Sequence, residues 1–166
     1  MPIQTSDIKF YLSGGSSNTN PNLSLGGVIS TTEIGTAINS LFDDVTGDES
    51  ASGDIEYRAF YVKNTHVSLT WIGVKFWVET QTPAGDDISI GKEASLGSPK
   101  QTIATENDAP TGIVFSAPST KVTGISIGDL APGDGYMLWI KRNVPVSTTA
   151  YNNNSFTIKL EGDSRA

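Results

Sequence analysis

The sequence predicts an all-β protein, an antiparallel sandwich of about seven to nine strands with at most one short helix. Apolar and polar residues alternate with period two through two long runs, 54–64 and 70–81. Shorter alternating runs follow, separated by turn residues, in a chain with 17 glycines and eight prolines. Only residues 31–45 have apolar residues at helical spacing, and Gly35 interrupts them, so this segment is a short helix or an irregular turn.

The two long runs are expected to form a central hairpin, because only a short polar link joins them. In the second run, one phase should face the core, and it contains Ile72, Val74, Phe76 and Val78. In the first run, the corresponding residues are Ile55, Tyr57, Ala59 and Tyr61. Charge avoids burial, so Glu56 and Arg58, with Phe60 and Val62, should lie on the opposite face.

The first 27 residues are expected to form an N-terminal strand and a flexible arm, and residues 28–166 the sandwich domain. Ile8, Phe10 and Leu12 share one strand phase, whereas residues 13–27 are rich in Gly, Ser and Asn and poor in apolar side chains. This segment is either a loop that covers the core or an arm that reaches a neighbouring subunit.

Later strands are expected at 87–91, 101–105, 112–116, 121–127, 137–142 and 155–161. Two of them have an expected core row: Tyr136, Leu138 and Ile140 in one, and Phe156, Ile158 and Leu160 in the last. The sequence LAPGDGY at 130–136 opens one of them and resembles the tyrosine corner of immunoglobulin-like sandwiches. That resemblance implies an Ig-like sandwich in which the Tyr136 hydroxyl bonds to the backbone just upstream and Pro132 and Gly133 form the turn.

Composition excludes several classes of partner. Asp and Glu number 18 against 11 Lys and Arg, a formal charge of −7, so binding to nucleic acid is not expected. No cysteine is present, the N-terminus does not have the pattern of a secretory signal, and no stretch is apolar enough to span a membrane.

The residues also predict no enzyme, no cofactor and no metal site. His66 is the single histidine and lies in the link between the long runs, where a surface position is expected. The acidic segment 43–54 contains five carboxylates, but their spacing differs from that of a calcium loop, which favours a solvated loop over an ion site. No nucleophile elbow or phosphate-binding glycine loop occurs.

The three tryptophans lie on the phases opposite the predicted core rows. Trp71, Trp77 and Trp139 would therefore point to the outer sheet faces, together with Phe60. Three interpretations remain open: other segments of the chain cover the rings, another subunit contacts them, or a sugar ring stacks on them.

The block GDIEYRAFYVKN at 53–64 resembles a motif of small structural proteins of tailed bacteriophages. The surrounding segments continue the pattern, and they are FYLSGG (10–15), NTNPN (18–22), SLGG (24–27), LFDDV (41–45), LAPG (130–133), LWIKR (138–142) and VP (144–145). The resemblance covers most of the chain outside 83–125.

This resemblance implies a non-enzymatic virion protein, assembled in the cytoplasm of the host bacterium. It implies a capsid decoration (cement) subunit, with a tail or baseplate part as the alternative; the major capsid protein or other virion proteins would be the partners. A homo-oligomer is also expected. The expected contact residues are Phe10, Tyr11, Asn20, Pro21, Phe60, Trp71, Trp77 and Trp139. The expected structural residues are Tyr57, Tyr61, Pro132, Gly133 and Tyr136.

Overall fold

A computed structural model describes residues 2–83, 85–96, 100–149, 151 and 153–165, and it confirms the all-β sandwich. Its seven strands are β1 (Ile8–Leu12), β2 (Asp54–Asn64), β3 (Thr70–Gln81), β4 (Asp87–Lys92), β5 (Ile125–Leu130), β6 (Gly135–Val144) and β7 (Phe156–Arg165). All described pairings are antiparallel. Within these ranges, no helix has the length and apolar composition needed to cross a membrane.

The strands form a four-stranded sheet, in the order β1-β2-β6-β4, and a three-stranded sheet, in the order β5-β3-β7. The immunoglobulin fold has the same division but pairs its second strand with its fifth and its third with its sixth. Here β2 pairs with β6 and β3 with β5. The Tyr136 hydroxyl donates to the carbonyl of Glu93, 2.7 Å away, at the end of β4. The expected tyrosine corner is therefore corrected, because this bond joins distant segments instead of closing a local turn.

The expected central hairpin is wrong, because β2 and β3 belong to different sheets. The link 65–69 crosses from one sheet to the other, and the buried side chain of Asn64 holds the crossing in place. Its amide donates to the carbonyls of Leu69 (2.8 Å) and Leu130 (2.9 Å). Each long run has buried apolar residues on both of its faces, which suits the inner position that each strand occupies in its own sheet.

The orientation expected for β2 is also reversed. Phe60 and Val62 pack between the sheets, and Glu56 and Arg58, four and two residues before Phe60 on the same phase, are buried as well. The opposite phase, with Tyr57, Ala59 and Tyr61, forms a second apolar cluster on the outer face of the sheet. Charge is tolerated inside because the buried charges pair with each other, as described below.

A β-bulge changes the phase of β3. The register shifts between Trp71 and Val74, where Gly73 has φ 61°. Trp71 consequently packs in the inter-sheet core with Val74, Phe76 and Val78. Strict alternation places Trp71 on the outer face, so the bulge is the reason that this expectation is wrong.

The remaining differences lie in the connections. Residues 31–45 are irregular, and the one α-helix among the described residues, α1 (Gly47–Ser52), lies in the acidic segment. Segments 101–105 and 112–116 are loops with isolated bridges instead of strands, and β5 begins later than expected, at Ile125. Strand β7 matches its expected phase, because Phe156, Ile158 and Leu160 pack against the core.

Candidate functional site

Two loop segments form a third layer over the four-stranded sheet. We call residues 13–29 and 101–116 the loop layer. The segments bond to each other through Ile103 N–H to Leu25 O (2.9 Å) and Gly27 N–H to Gln101 O (2.8 Å). The layer also bonds to β2 at the point where β1 no longer pairs with it: the Ala59 N–H donates a hydrogen bond to Ser24 O. The layer is therefore fixed to the sheet by main-chain bonds.

The loop layer covers the second apolar cluster. Buried residues of this cluster are Tyr57, Ala59, Tyr61, Ile103, Met137 and Trp139. The ring of Phe115 packs against Tyr57 with 5.4 Å between centroids. The Trp139 indole N–H donates to Glu93 Oε1 at 2.9 Å, so even its polar atom has a partner inside the protein.

All three tryptophans are buried, with exposed fractions of 6% for Trp71, 4% for Trp77 and 0% for Trp139. Phe60 is equally buried, at 4%, and lies between the sheets. Trp77 lies on the outer face of the three-stranded sheet, with the Lys159 ammonium 5.7 Å from its ring. The expectation that these four residues offer an outer contact surface is corrected, because the chain itself covers them. They provide no exposed platform for a sugar ring.

The N-terminal contact residues lie partly in the fold. Phe10 is half-buried against Phe60, with centroids 6.3 Å apart, and Tyr11 is half-buried in the second cluster. Asn20 is exposed, and Pro21 begins a short 3₁₀ turn.

Residues 13–27 form the core-covering loop that was one of the two alternatives. The hydroxyls of Ser13 and Ser24, both fully buried, bond to the carbonyl of Ala59 at 3.1 and 2.6 Å. Ser13 Oγ also accepts from Gly26 N–H. Since β1 pairs with β2 along its whole length, the loop 13–27 follows an integral strand of the sheet.

The loop layer presents exposed aliphatic side chains and an adjacent groove. Leu23, Val28 and Val114 are 57%, 62% and 82% exposed. The groove beside Val28 has a volume of about 350 Å³. Its lining residues are Val28, Ile29, Tyr61, Lys63, Lys100, Gly133 and Gly135. Val28 lines this groove with Lys63 and Lys100, whereas Val114 lines a second groove with Lys92 and Glu93. We call Leu23, Val28, Val114, Lys63 and Lys100 together the loop-layer face.

Expected structural residues form the floor of this groove. The hydroxyl of Tyr61 donates to Gly27 O, and burial raises the pKa of this hydroxyl well above its ordinary value. Gly133, at φ 87°, donates its N–H to Asn64 O at 2.8 Å, in the turn that Pro132 precedes. The Lys100 ammonium lies 5.7 Å from the Tyr61 ring. The floor is therefore rigid and the lysines give it positive charge.

A buried ionic cluster lies at the other end of the sandwich. Arg142 pairs with Glu56 through both Nε and Nη2, and its Nη1 donates to the carbonyl of Asp43 at 2.8 Å. Arg58 pairs with Glu106 of the loop layer. The Phe42 ring lies between the two guanidinium groups, 5.3 Å from Arg58 Cζ and 4.8 Å from Arg142 Cζ. Burial raises the pKa of Glu56 despite the neighbouring Arg142.

This cluster is structural in character. Glu56 and Arg58 are almost without exposed surface, and Phe42 closes the end of the core above them. The carboxylates of segment 43–54 also have internal partners: Glu49 accepts from Thr46 N–H (2.6 Å) and Asp54 accepts from Asn107 (2.8 Å). In the described ranges, no three acidic or histidine side chains converge as metal ligands.

His66 also has a structural role. Its Nδ1 accepts from the main-chain N–H groups of Ser68 (3.1 Å) and Leu69 (2.9 Å), which shapes the link between the sheets. A nitrogen used in this way does not act as a general base.

No known protein family, curated protein or solved structure matches the chain.

The ionic cluster is what sequence reasoning missed, together with the bonding of segments 13–29 and 101–116 into one layer. One available signal was the position of Glu56, Arg58 and Arg142 in the middle of otherwise apolar runs. The sequence also contains a signal for α1, because Thr46-Gly47-Asp48-Glu49 is a capping box of the form Thr-x-x-Glu at the start of this helix. No comparable local signal indicates the loop layer, because its two segments are far apart in the chain.

Proposed function

We propose that this protein is a non-enzymatic structural protein of a tailed-phage virion, a decoration (cement) subunit that binds the outside of the head. The motif at 53–64 and its surrounding segments suggest the virion setting. The observation that carries the proposal is the loop-layer face, an exposed apolar and cationic surface on a rigid, otherwise acidic sandwich.

The chemistry of the described residues supports a binding role over catalysis. Side chains of the types used in catalysis already have partners within the protein. Glu56 pairs with Arg142, Glu93 accepts a hydrogen bond from Trp139, and His66 accepts one from the main chain of its own link. The groove beside Val28 is lined by aliphatic side chains, glycines, two lysines and a tyrosine that is hydrogen-bonded to the main chain. Such a surface suits adhesion to another protein.

The loop-layer face also indicates which kind of partner surface fits. Residues 13–29 carry no charged side chain, and the groove beside them is lined by the ammonium groups of Lys63 and Lys100. The carboxylates of segment 101–116 already have partners, Glu106 in Arg58 and Asp108 in Thr105. An apolar capsid surface that includes carboxylates would complement this face. Many copies on a symmetric particle make weak individual contacts sufficient, because multivalent attachment raises the overall affinity.

Exposed valines permit a matched test by site-directed variants. We expect Val28→Asp and Val114→Asp to weaken co-sedimentation with heads that lack this protein by about tenfold or more, since each places a carboxylate in an apolar contact. Val67→Asp and Val122→Asp are the controls, because these side chains are 91% and 86% exposed and lie outside the loop layer.

Circular dichroism would verify that all four variants fold. Equal binding by all four would exclude the loop-layer face as the contact surface. Failure of the native protein to bind heads, together with binding to isolated tails, would favour the tail or baseplate alternative. Failure to bind either would refute the proposal.

A further inference from the structure

Of the four sheet edges in this sandwich, two are covered by other segments of the chain and a third is short and interrupted. Segment 30–34 bonds along β1, with Leu12 N–H to Thr32 O at 3.0 Å, and Ser116 exchanges two main-chain bonds with Ile90 of β4. Strand β5 is short, and Gly128, at φ 82°, interrupts its regular backbone. Closing or breaking edges in these ways is how β proteins avoid unwanted association.

Strand β7 is the exception. It has ten residues, and in the described ranges no hydrogen bond reaches its main chain from the outer side. Its core-facing side chains Phe156, Ile158 and Leu160 are only half-buried, whereas Val74 and Phe76 on the neighbouring β3 have no exposed surface. Another strand beside β7 would satisfy the free main-chain groups and complete the burial of this row.

We propose that this strand is supplied by a second copy, so that two β7 strands pair antiparallel about a twofold axis at Leu160. The two three-stranded sheets would then form one six-stranded sheet. A twofold contact of this kind uses the same surface on both copies and closes on itself. The proposal goes beyond the proposed function and assigns an interface to the homo-oligomer that is expected from the sequence.

The charges on the outer face of β7 select this register. With Leu160 on the axis, Lys159 of each copy lies directly opposite Glu161 of the other. Within one chain Lys159 already pairs with Glu79 at 2.8 Å, and Glu161 pairs with Lys121 at 2.6 Å. The dimer would therefore carry two rows of alternating charge. Each row would run from Glu79 and Lys159 of one copy to Glu161 and Lys121 of the other.

A shift of the axis to Glu161 would place two like charges opposite each other. Directly opposed like charges destabilise a strand pair, whereas opposite charges stabilise it. The self-complementary pattern is thus specific to pairing between two copies about Leu160, and it identifies the second copy as the occupant.

Sedimentation equilibrium of the full chain tests the proposal through charge variants. The native protein should reach a mass twice the 17.6 kDa of the chain. Glu161→Lys should weaken dimerisation about tenfold or more, since both cross-strand pairs become repulsive. The double variant Lys159→Glu/Glu161→Lys should recover the dimer, because the pairs are complementary again.

Glu79→Gln is the matched control. It removes the intrachain partner of Lys159 but leaves the pairing across the axis, so it should remain dimeric. A native protein that stays monomeric at all concentrations would overturn the proposal, as would a double variant that folds and does not recover the dimer. Either failure is independent of capsid binding, which the valine variants measure.

Disulfide trapping tests the register directly, because the native chain contains no cysteine. An equimolar mixture of Lys159→Cys and Glu161→Cys chains should crosslink rapidly, since directly opposite positions bring the Cβ atoms close to disulfide range. Each variant alone should crosslink slowly. A mixture of either with Ser126→Cys, on the other edge strand, gives the background rate. Rapid crosslinking of Glu161→Cys alone, or crosslinking of the mixture at the background rate, would refute pairing about Leu160.

Discussion

At the residue scale, the least expected feature is the pair of arginines inside the sandwich. Desolvating a guanidinium is costly unless it is paired and hydrogen-bonded. Arg142 meets this condition through Glu56 and the Asp43 carbonyl, and Arg58 does so through Glu106. Phe42 stacks between both groups, so the loop that carries it is held at the end of the core. The ionic cluster thereby joins four segments of the chain: residues 42–43, β2, the loop layer at Glu106 and β6.

Removal of Arg142 should expose how strongly this cluster depends on pairing. We expect Arg142→Ala to lower the free energy of unfolding by about 3–5 kcal/mol, because Glu56 would remain buried without its main partner. Urea unfolding followed by circular dichroism measures the change. Lys9→Ala is the control, since its pair with Glu33 is exposed and its loss should change the free energy of unfolding far less. Equal losses in the two variants would contradict a structural role for the ionic cluster.

The hydroxyl of Tyr61 should make the fold sensitive to alkali. Burial raises its pKa above the ordinary value of 10.0, so the unfolded chain releases this proton at lower pH than the folded chain. The contribution to stability is complete below pH 10.0 and is lost as the pH rises above that value.

The Tyr61→Phe variant separates this effect from general alkaline damage. We expect the variant to be about 1 kcal/mol less stable at neutral pH, because the bond to Gly27 O is lost. Above pH 10.0 its free energy of unfolding should fall less steeply than that of the native protein. Tyr151→Phe, at an exposed position, should leave the native slope unchanged. Identical slopes for all three proteins would refute the assignment.

At the element scale, the bulge in β3 decides which side chains enter the core. Gly73 adopts a positive φ, and this change of phase turns Trp71 inward. Opposite the bulge, Gly162 of β7 lies so close to β3 that a Cβ atom there would be 2.7 Å from Ile72 O and 2.9 Å from Trp71 Nε1. The bulge and the glycine that faces it therefore form one packing unit.

Gly162→Ala should destabilise the protein by about 1–3 kcal/mol, because backbone or the packed Trp71 ring would have to move. Thermal unfolding measures the change. Gly47→Ala is the control, since a Cβ atom there meets nothing within 4 Å and φ is not positive. A melting temperature of Gly162→Ala equal to that of the control would show that the approach of β7 to β3 is looser than described.

At the scale of the whole molecule, three layers are stacked: the three-stranded sheet, the four-stranded sheet and the loop layer. The loop layer shields the outer side of β2 and β6, which would otherwise expose Tyr57, Met137 and Trp139. It also carries the face that we propose for capsid contact. The same loops therefore complete the core on one side and present the contact surface on the other.

Tryptophan fluorescence should report this shielding. With all three rings buried, native emission should be blue-shifted and resistant to acrylamide, and it should become red-shifted and readily quenched on unfolding. Oligosaccharides should leave native emission unchanged, because no exposed indole is available for stacking. Strong quenching of the native protein by acrylamide or sugar would contradict the burial of these rings, and its loss in Trp139→Phe would assign the accessible ring to the side that the loop layer covers.

Local patterns in the chain were sufficient to predict the sandwich and most of its strands. Period-two alternation predicts β1, β4, β6 and β7, and the phases of β6 and β7 are as expected. Such patterns depend only on residues that are close together in the sequence, so they can be recognised without knowing which strand lies alongside. The start of α1 was accessible in the same way, through the capping box at Thr46.

Contacts between distant segments determined the rest. Alternation cannot distinguish the two faces of β2, because both are buried: one by the second sheet, the other by the loop layer. Glu56 and Arg58 face inward because Arg142 and Glu106, 86 and 48 residues away, compensate them. The bulge at Gly73 and the covering of Trp139 likewise follow from packing across the fold. The free energy of burying a charge or a ring depends on the partner that it meets, and that partner is set by the tertiary structure.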